Sequence, residues 1–219
     1  MSETRQKIII KNREFTYNPQ KLDRDDIPAI NVDIAKENLL LFNKIAKANN
    51  FRFVLFWGTL LGAIRENGFI KHDFDIDVVS CDEDKLLDII PLFQKEGFLF
   101  IRYYTSKART MYSFSKDGVF IDVYIAKNAG TGKYYLCGAK IPASFINKTE
   151  FFSFIGENFL IPQEYEKILV MIYGKDWRIP QNKNGHFPLY MRRDFDQIFI
   201  QLFPKSFRNF IKKLLRLTK

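Results

Sequence analysis

The chain has 219 residues, 47% hydrophobic and 16% aromatic with 23 phenylalanines, which is enough apolar mass for one packed domain and excludes wholesale disorder. The formal charge is +9, but the last fifteen residues, KSFRNFIKKLLRLTK, carry six basic side chains and no acid, so basicity belongs mainly to the C-terminus. No apolar run approaches the ~18 residues of a membrane span, the polar start MSETRQK lacks the apolar segment of a secretory leader, and the two cysteines, Cys81 and Cys137, have no metal-type spacing.

Those exclusions predict a cytoplasmic protein with free, buried thiols and no structural zinc. Residues 1–30 read as a loosely packed N-terminal arm with one short strand, KIIIK. A helix is predicted from Asn31 to Asn49, with Asn31 as N-cap and Ile34, Leu39, Phe42, Ile45 and Ala46 at helical spacing. FRFVLFW (51–57) reads as a buried strand, and Gly58-Thr59 turns it into a short helix, LLGAIR. The stretch 73–80 alternates strictly and is the next predicted strand; a helix follows from Asp82 to Glu96, closed by Gly97. Four β segments come next: FLFIRYY, TMYSFSK, VFIDVYIA and KYYLC. FFSFIGENFLIP then reads as a hairpin ended by Pro162, and QEYEKILVMIYG as a helix stopped by Gly174. This order predicts an α+β fold, a mixed sheet with flanking helices and a helical C-terminal region.

The stretch IKHDFDIDVVS places Asp73, Asp75 and Asp77 at every second position, and on a strand such residues share one face. Carboxylates held together repel unless a proton or cation relieves them. A hard divalent ion with oxygen ligands does so at neutral pH, Mg²⁺ taking one or two carboxylates together with phosphate oxygens. Asp122, on the VFIDVYIA strand, supplies a further carboxylate if the strands are neighbours. An EF-hand would need Gly and Glu where Val78 and Asp84 stand. A solvated acidic edge strand fits poorly with Phe74, Ile76, Val78 and Val79. Upstream, a strand, Gly58-Thr59 and a helix place backbone N–H groups where phosphate is stabilised.

These residues together resemble the LicD/fukutin family of the nucleotidyltransferase fold. FWGTLLGAIRENGFIKHDFDIDV resembles its Gly-Thr and Asp-x-Asp block, VFIDVYIA its later Asp strand, and FFSFIGENFLIPQEYEKILVMIYGKDWRIP its closing block. Two departures stand at His72 and Phe74, where the family has Trp and an acidic residue. The resemblance implies a nucleotidyltransferase-like catalytic domain over 31–180. It implies transfer of a phospho-alcohol, such as phosphocholine, ribitol phosphate or glycerol phosphate, from a CDP-activated donor. The acceptor would be a sugar hydroxyl of a cell-surface glycan or its lipid-linked precursor. Asp75 and Asp77 would hold Mg²⁺ or Mn²⁺, with Asp73 beside them. Asp122 would complete the metal set or take the acceptor proton. Gly58 and Thr59 would hold donor phosphate, and Arg65 and Lys71 are candidate phosphate cations.

Lys107, Arg109, His72 and His186 read first as solvated residues, and Tyr103, Tyr104, Tyr112 and Tyr124 as packing. Within the C-terminal region, 181–219, residues 204–219 place Phe207, Phe210, Ile211, Leu214 and Leu215 against a basic face. That pattern suits either a helix on an anionic membrane surface or a terminal helix packed on the body; nothing accompanies it that would recognise nucleic acid. Two rival functions use the same residues: nucleotide transfer from an NTP to a small molecule, and an inert binding protein.

Overall fold

The structure, a computed structural model, describes residues 5–20 and 28–180. Contacts divide the chain into a unit ending at Leu169 and a second beginning at Val170. At the centre of the first is a mixed five-stranded sheet, so the unit is α+β as its order of segments predicts.

Helix α1 (Val32–Ala48) starts where the Asn31 side chain accepts the Ile34 N–H, and its apolar face buries Ala35, Leu39, Phe42 and Ala46. Strand β3 (Val54–Leu55) is shorter than predicted, because its antiparallel ladder with the next strand covers only those two residues. Phe51 and Phe53 are buried without joining it. Helix α2 (Trp57–Glu66) begins at Trp57 rather than Leu60, so Gly58 and Thr59 lie in its first turn. Strand β4 (Asp75–Ser80) starts later than predicted. Asp73 is held in a turn instead: its carbonyl accepts the Ile30 N–H and its own N–H reaches the Ile70 carbonyl. Helix α3 (Glu83–Lys95), capped by Asp82, leads to β5 (Leu99–Thr105), β6 (Thr110–Lys116) and β7 (Val119–Ile125). The sheet order is β3-β4-β7-β6-β5; β4 and β7 run parallel and the other pairs antiparallel.

Alternation gives this sheet two unlike faces. Ile76, Val78, Ile121, Val123, Tyr112, Phe114 and Phe100 share one and are buried. On that side Phe42 of α1 stacks on Phe93 of α3 at 4.3 Å, with Phe98 and Phe114 set around them. Each buried aromatic contributes roughly 1.5–3 kcal/mol by area. The opposite face carries Asp75, Asp77, Asp122 and Ser113.

The N-terminal residues form a docked hairpin, not a loose arm with one strand. Strands β1 (Gln6–Ile10) and β2 (Arg13–Tyr17) pair antiparallel and bury Ile10 and Phe15. Lys11 pairs with Glu83 at 2.8 Å and Arg13 with Asp88 at 2.9 Å. The N–H groups of Asn18 and Gln20 donate to the carbonyls of Phe100 and Ile101. This covers the edge of β5, which would otherwise expose an unpaired ladder.

Beyond β7, strands β8 (Lys127–Gly130), β9 (Lys133–Leu136) and β10 (Ala139–Pro142) make a separate sheet, of which the sequence marked only KYYLC. After the short α4 (Ser144–Asn147) comes the predicted hairpin, β11 (Thr149–Phe154) and β12 (Glu157–Pro162), turning through Ile155 and Gly156 at positive φ. Helix α5 (Tyr165–Tyr173) crosses into the second unit, and Gly174, at φ 93°, ends it with its N–H on the Val170 carbonyl. In that unit the Arg178 guanidinium lies 4.2 Å from the Trp177 ring.

Both cysteines are free, but the expected burial does not hold for Cys81, which follows the end of β4 and is exposed; Cys137 is half-buried. Among the described residues no helix is long and apolar enough to cross a membrane. The basic tail and His186 lie outside the described residues.

Candidate functional site

Parallel pairing of β4 with β7 sets Asp77 directly beside Asp122, and Asp75 beside Phe120. Since residues two apart on a strand share a face, Asp75 and Asp77 stand with Asp122 on the side away from the phenylalanine core. One carboxylate oxygen from each of the three lies within 4.8 Å of the others. Asp77 and Asp122 are buried, and Asp75 is half-buried.

The start of α2 clamps Asp77 from both sides of its peptide. The Phe56 N–H donates to the Asp77 carbonyl at 3.2 Å, and the Asp77 N–H donates to the Thr59 hydroxyl oxygen at 2.8 Å. The Gly58 N–H lies against the Asp77 carboxylate itself. Thr59, 2% exposed, is thus placed by the earlier helix start to fix Asp77 rather than turned toward solvent. Gly58 is needed for space: a Cβ there would come 2.2 Å from the Asp73 Oδ2. Asp73 therefore sits over the N-terminus of α2, off the strand, its Oδ1 accepting the Phe74 N–H at 3.1 Å.

Four carboxylates so close make an electrostatic problem. Burial, then the charges of Asp75, Asp73 and Asp122, push the Asp77 carboxyl well above its ordinary 3.8, with the Gly58 N–H opposing them. Burial and the charges of Asp77 and Asp122 likewise push the Tyr124 phenol up. The same two aspartates act on Cys137, whose thiol is pushed up to about 12, mainly by burial and against the pull of Arg109. The turn between β9 and β10 meets the loop before β6, where the Gly138 N–H donates to the Ala108 carbonyl. Arg109 rests over the Tyr104 ring at 5.5 Å, while Lys107 is exposed.

Of the two candidate phosphate cations, one lies on α2 and the other in the turn before β4. Arg65 is in the last turn of α2, about 10 Å along the helix from Gly58, where its Nε pairs with Glu66 at 2.7 Å. Lys71 and His72 are exposed in the turn before β4. A cation that the sequence reading passed over is in contact with the cluster. The Arg102 Nη2 donates to Asp122 Oδ2 at 3.0 Å and Oδ1 at 3.3 Å, and its Nε donates to the Ser113 hydroxyl at 3.0 Å. Its one sequence signal is a lone charge inside the aromatic segment FLFIRYY.

The model of the LicD/FKTN/FKRP nucleotidyltransferase domain matches residues 50–164, more than half of the chain and the span holding α2, β4 and β7. The chain belongs to the LicD/FKTN/FKRP family. This LicD-family chain is also 36% identical over 58 residues to Uncharacterized protein RP689 of Rickettsia prowazekii (strain Madrid E). That likeness covers 26% of the chain and 22% of the relative's length.

Proposed function

We propose that the chain is a divalent-cation-dependent transferase built on a nucleotidyltransferase-type fold. It moves a phospho-alcohol from a CDP-activated donor to a sugar hydroxyl of a glycan or its lipid-linked precursor. The observation that carries this reading is the convergence of Asp75, Asp77 and Asp122 on one sheet face of a LicD-family chain. The donor set fits Mg²⁺ or Mn²⁺, being all oxygen and close-set, with a buried Asp77 whose ionised form its neighbours oppose. Asp75, Asp77 and Asp122 would hold the ion, which neutralises charge on the diphosphate when bound.

The remaining work belongs to the chain. Thr59 and the Gly58 N–H hold Asp77 in register with Asp122. The N-terminus of α2 favours an anion by its dipole, and its Gly58 N–H is already given to Asp77. Asp122, both of whose oxygens already accept from Arg102, is assigned to the ion rather than to proton transfer. In the reaction the acceptor hydroxyl oxygen bonds to the phosphorus that bears the alcohol. The bond from that phosphorus to the CMP oxygen breaks, CMP leaves, and the hydroxyl proton passes to solvent. Such transfer depends mainly on positioning and charge stabilisation.

The test is CMP release from CDP-choline, CDP-ribitol, CDP-glycerol and CDP-ethanolamine in the presence of Mg²⁺ and candidate glycan acceptors. Asp75→Ala and Asp122→Ala, shown folded by circular dichroism, are expected to lose about 100-fold or more in turnover. Near-wild-type turnover in both refutes the site. Pyrophosphate release from an NTP in place of CMP release transfers the reading to nucleotide transfer.

A further inference from the structure

Across β4, β7, β6 and β5 the register lines up Asp77, Asp122, Ser113 and Arg102 in one row. The last of these is there because of an irregularity. Phe100 faces Phe114, but the next pair is Arg102 with Ser113, so Ile101 is an extra residue and β5 bulges. Without the bulge, alternation would send Arg102 to the same face as Phe100, into the aromatic core. Bulges re-aim side chains in this way, and here the result is a cation on the carboxylate face.

We propose that Arg102 is a diphosphate-binding residue, which rests on the reading of this face as a phosphotransfer site. Ser113 and Asp122 hold the guanidinium by Nε and Nη2, which fixes its plane. Its Nη1 has no partner among the described residues, and the side chain is 36% exposed while Asp122 is 3% exposed. The guanidinium is thus pinned on its inner edge and open on its outer one, beside the oxygens assigned to the cation. Arginine in a fixed plane presents paired N–H donors that match phosphate oxygens. Arg65 and Lys71, the cations that sequence position suggested, are not in this row.

Calorimetric titration with Mn²⁺ alone, and then with inorganic pyrophosphate in the presence of Mn²⁺, tests this independently of which donor is used. Pyrophosphate carries the diphosphate chemistry common to CDP donors and NTPs. Arg102→Gln is expected to keep Mn²⁺ affinity within about threefold and to lose about 10- to 100-fold in pyrophosphate affinity. Arg102→Lys is expected to recover part of it and provides the folded comparison if the glutamine variant misfolds. Unchanged pyrophosphate affinity overturns the proposal. So does a parallel loss of Mn²⁺ and pyrophosphate binding, which would make Arg102 a residue that only orients Asp122. If the wild type binds pyrophosphate equally with and without Mn²⁺, the cation reading fails instead. Arg102 is then judged on pyrophosphate alone, weaker binding in Arg102→Gln upholding its role and equal binding overturning it.

Discussion

Asp77 concentrates the physics of the site in one side chain. It is 7% exposed, and its ionised form is opposed by burial and by three neighbouring carboxylates. The folded state therefore holds its proton above pH 3.8, where the unfolded chain releases it. With more protons bound in the folded state, stability falls as pH rises from that value through the raised one. Removing the charge relieves the conflict. In metal-free protein near neutral pH, Asp77→Asn is expected to raise stability by about 1 kcal/mol, about 2–4 °C in Tm for a chain of this size. The gain is expected to vanish near pH 4, where Asp77 is protonated in the wild type. Thermal unfolding in EDTA across pH checks it; a variant less stable than wild type at neutral pH would mean that repulsion is not what governs Asp77. Gly58 belongs to the same scale, because its missing side chain is the space into which the Asp73 carboxylate fits.

Elements turn these residues into a site, and α2 is the one that does most. Its inner face meets the 68–70 segment so closely that a Cβ on Gly62 would lie 2.6 Å from the Gly68 carbonyl oxygen and 3.2 Å from the Ile70 N. Backbone cannot swing aside as a side chain can, so Gly62→Ala is expected to cost about 1–3 kcal/mol. Urea unfolding measures this directly; a neutral or stabilising effect would show that α2 is not packed this tightly. Helices α1 and α3 were legible in the sequence because caps and periodicity are local: Asn31 and Asp82 do cap them. The carboxylate face was legible as alternation for Asp75 and Asp77 but not for Asp73, and the helix after Gly58-Thr59 was legible although it starts earlier, at Trp57. The bulge at Ile101 was not, since only pairing with β6 reveals it, and with it went the role of Arg102. The docking of the N-terminal hairpin was hidden for a like reason. Lys11 and Arg13 find Glu83 and Asp88 far along the chain, and a local reading sees only mixed polar residues. Strands β8 and β10 are four residues each, too short to show a period.

For the molecule as a whole, the sheet divides labour between its faces. One packs phenylalanines against α1 and α3, and that rigid layer holds the other, where carboxylates crowd together at a cost to stability that a bound cation would offset. Two strands distant in sequence, β4 and β7, meet in parallel, so Asp77 joins Asp122 only when these two strands pair. A cation that binds only the folded state also stabilises it by mass action. Divalent-cation binding at this cluster can be measured without knowing the donor or acceptor. Mn²⁺ is titrated calorimetrically into metal-free wild type, Asp75→Asn and Asp122→Asn at neutral pH. The expected result is saturable binding to the wild type, weakened at least about tenfold in each variant. No binding by the folded wild type, or equal binding by all three proteins, would mean that Asp75, Asp77 and Asp122 do not form a divalent-cation site.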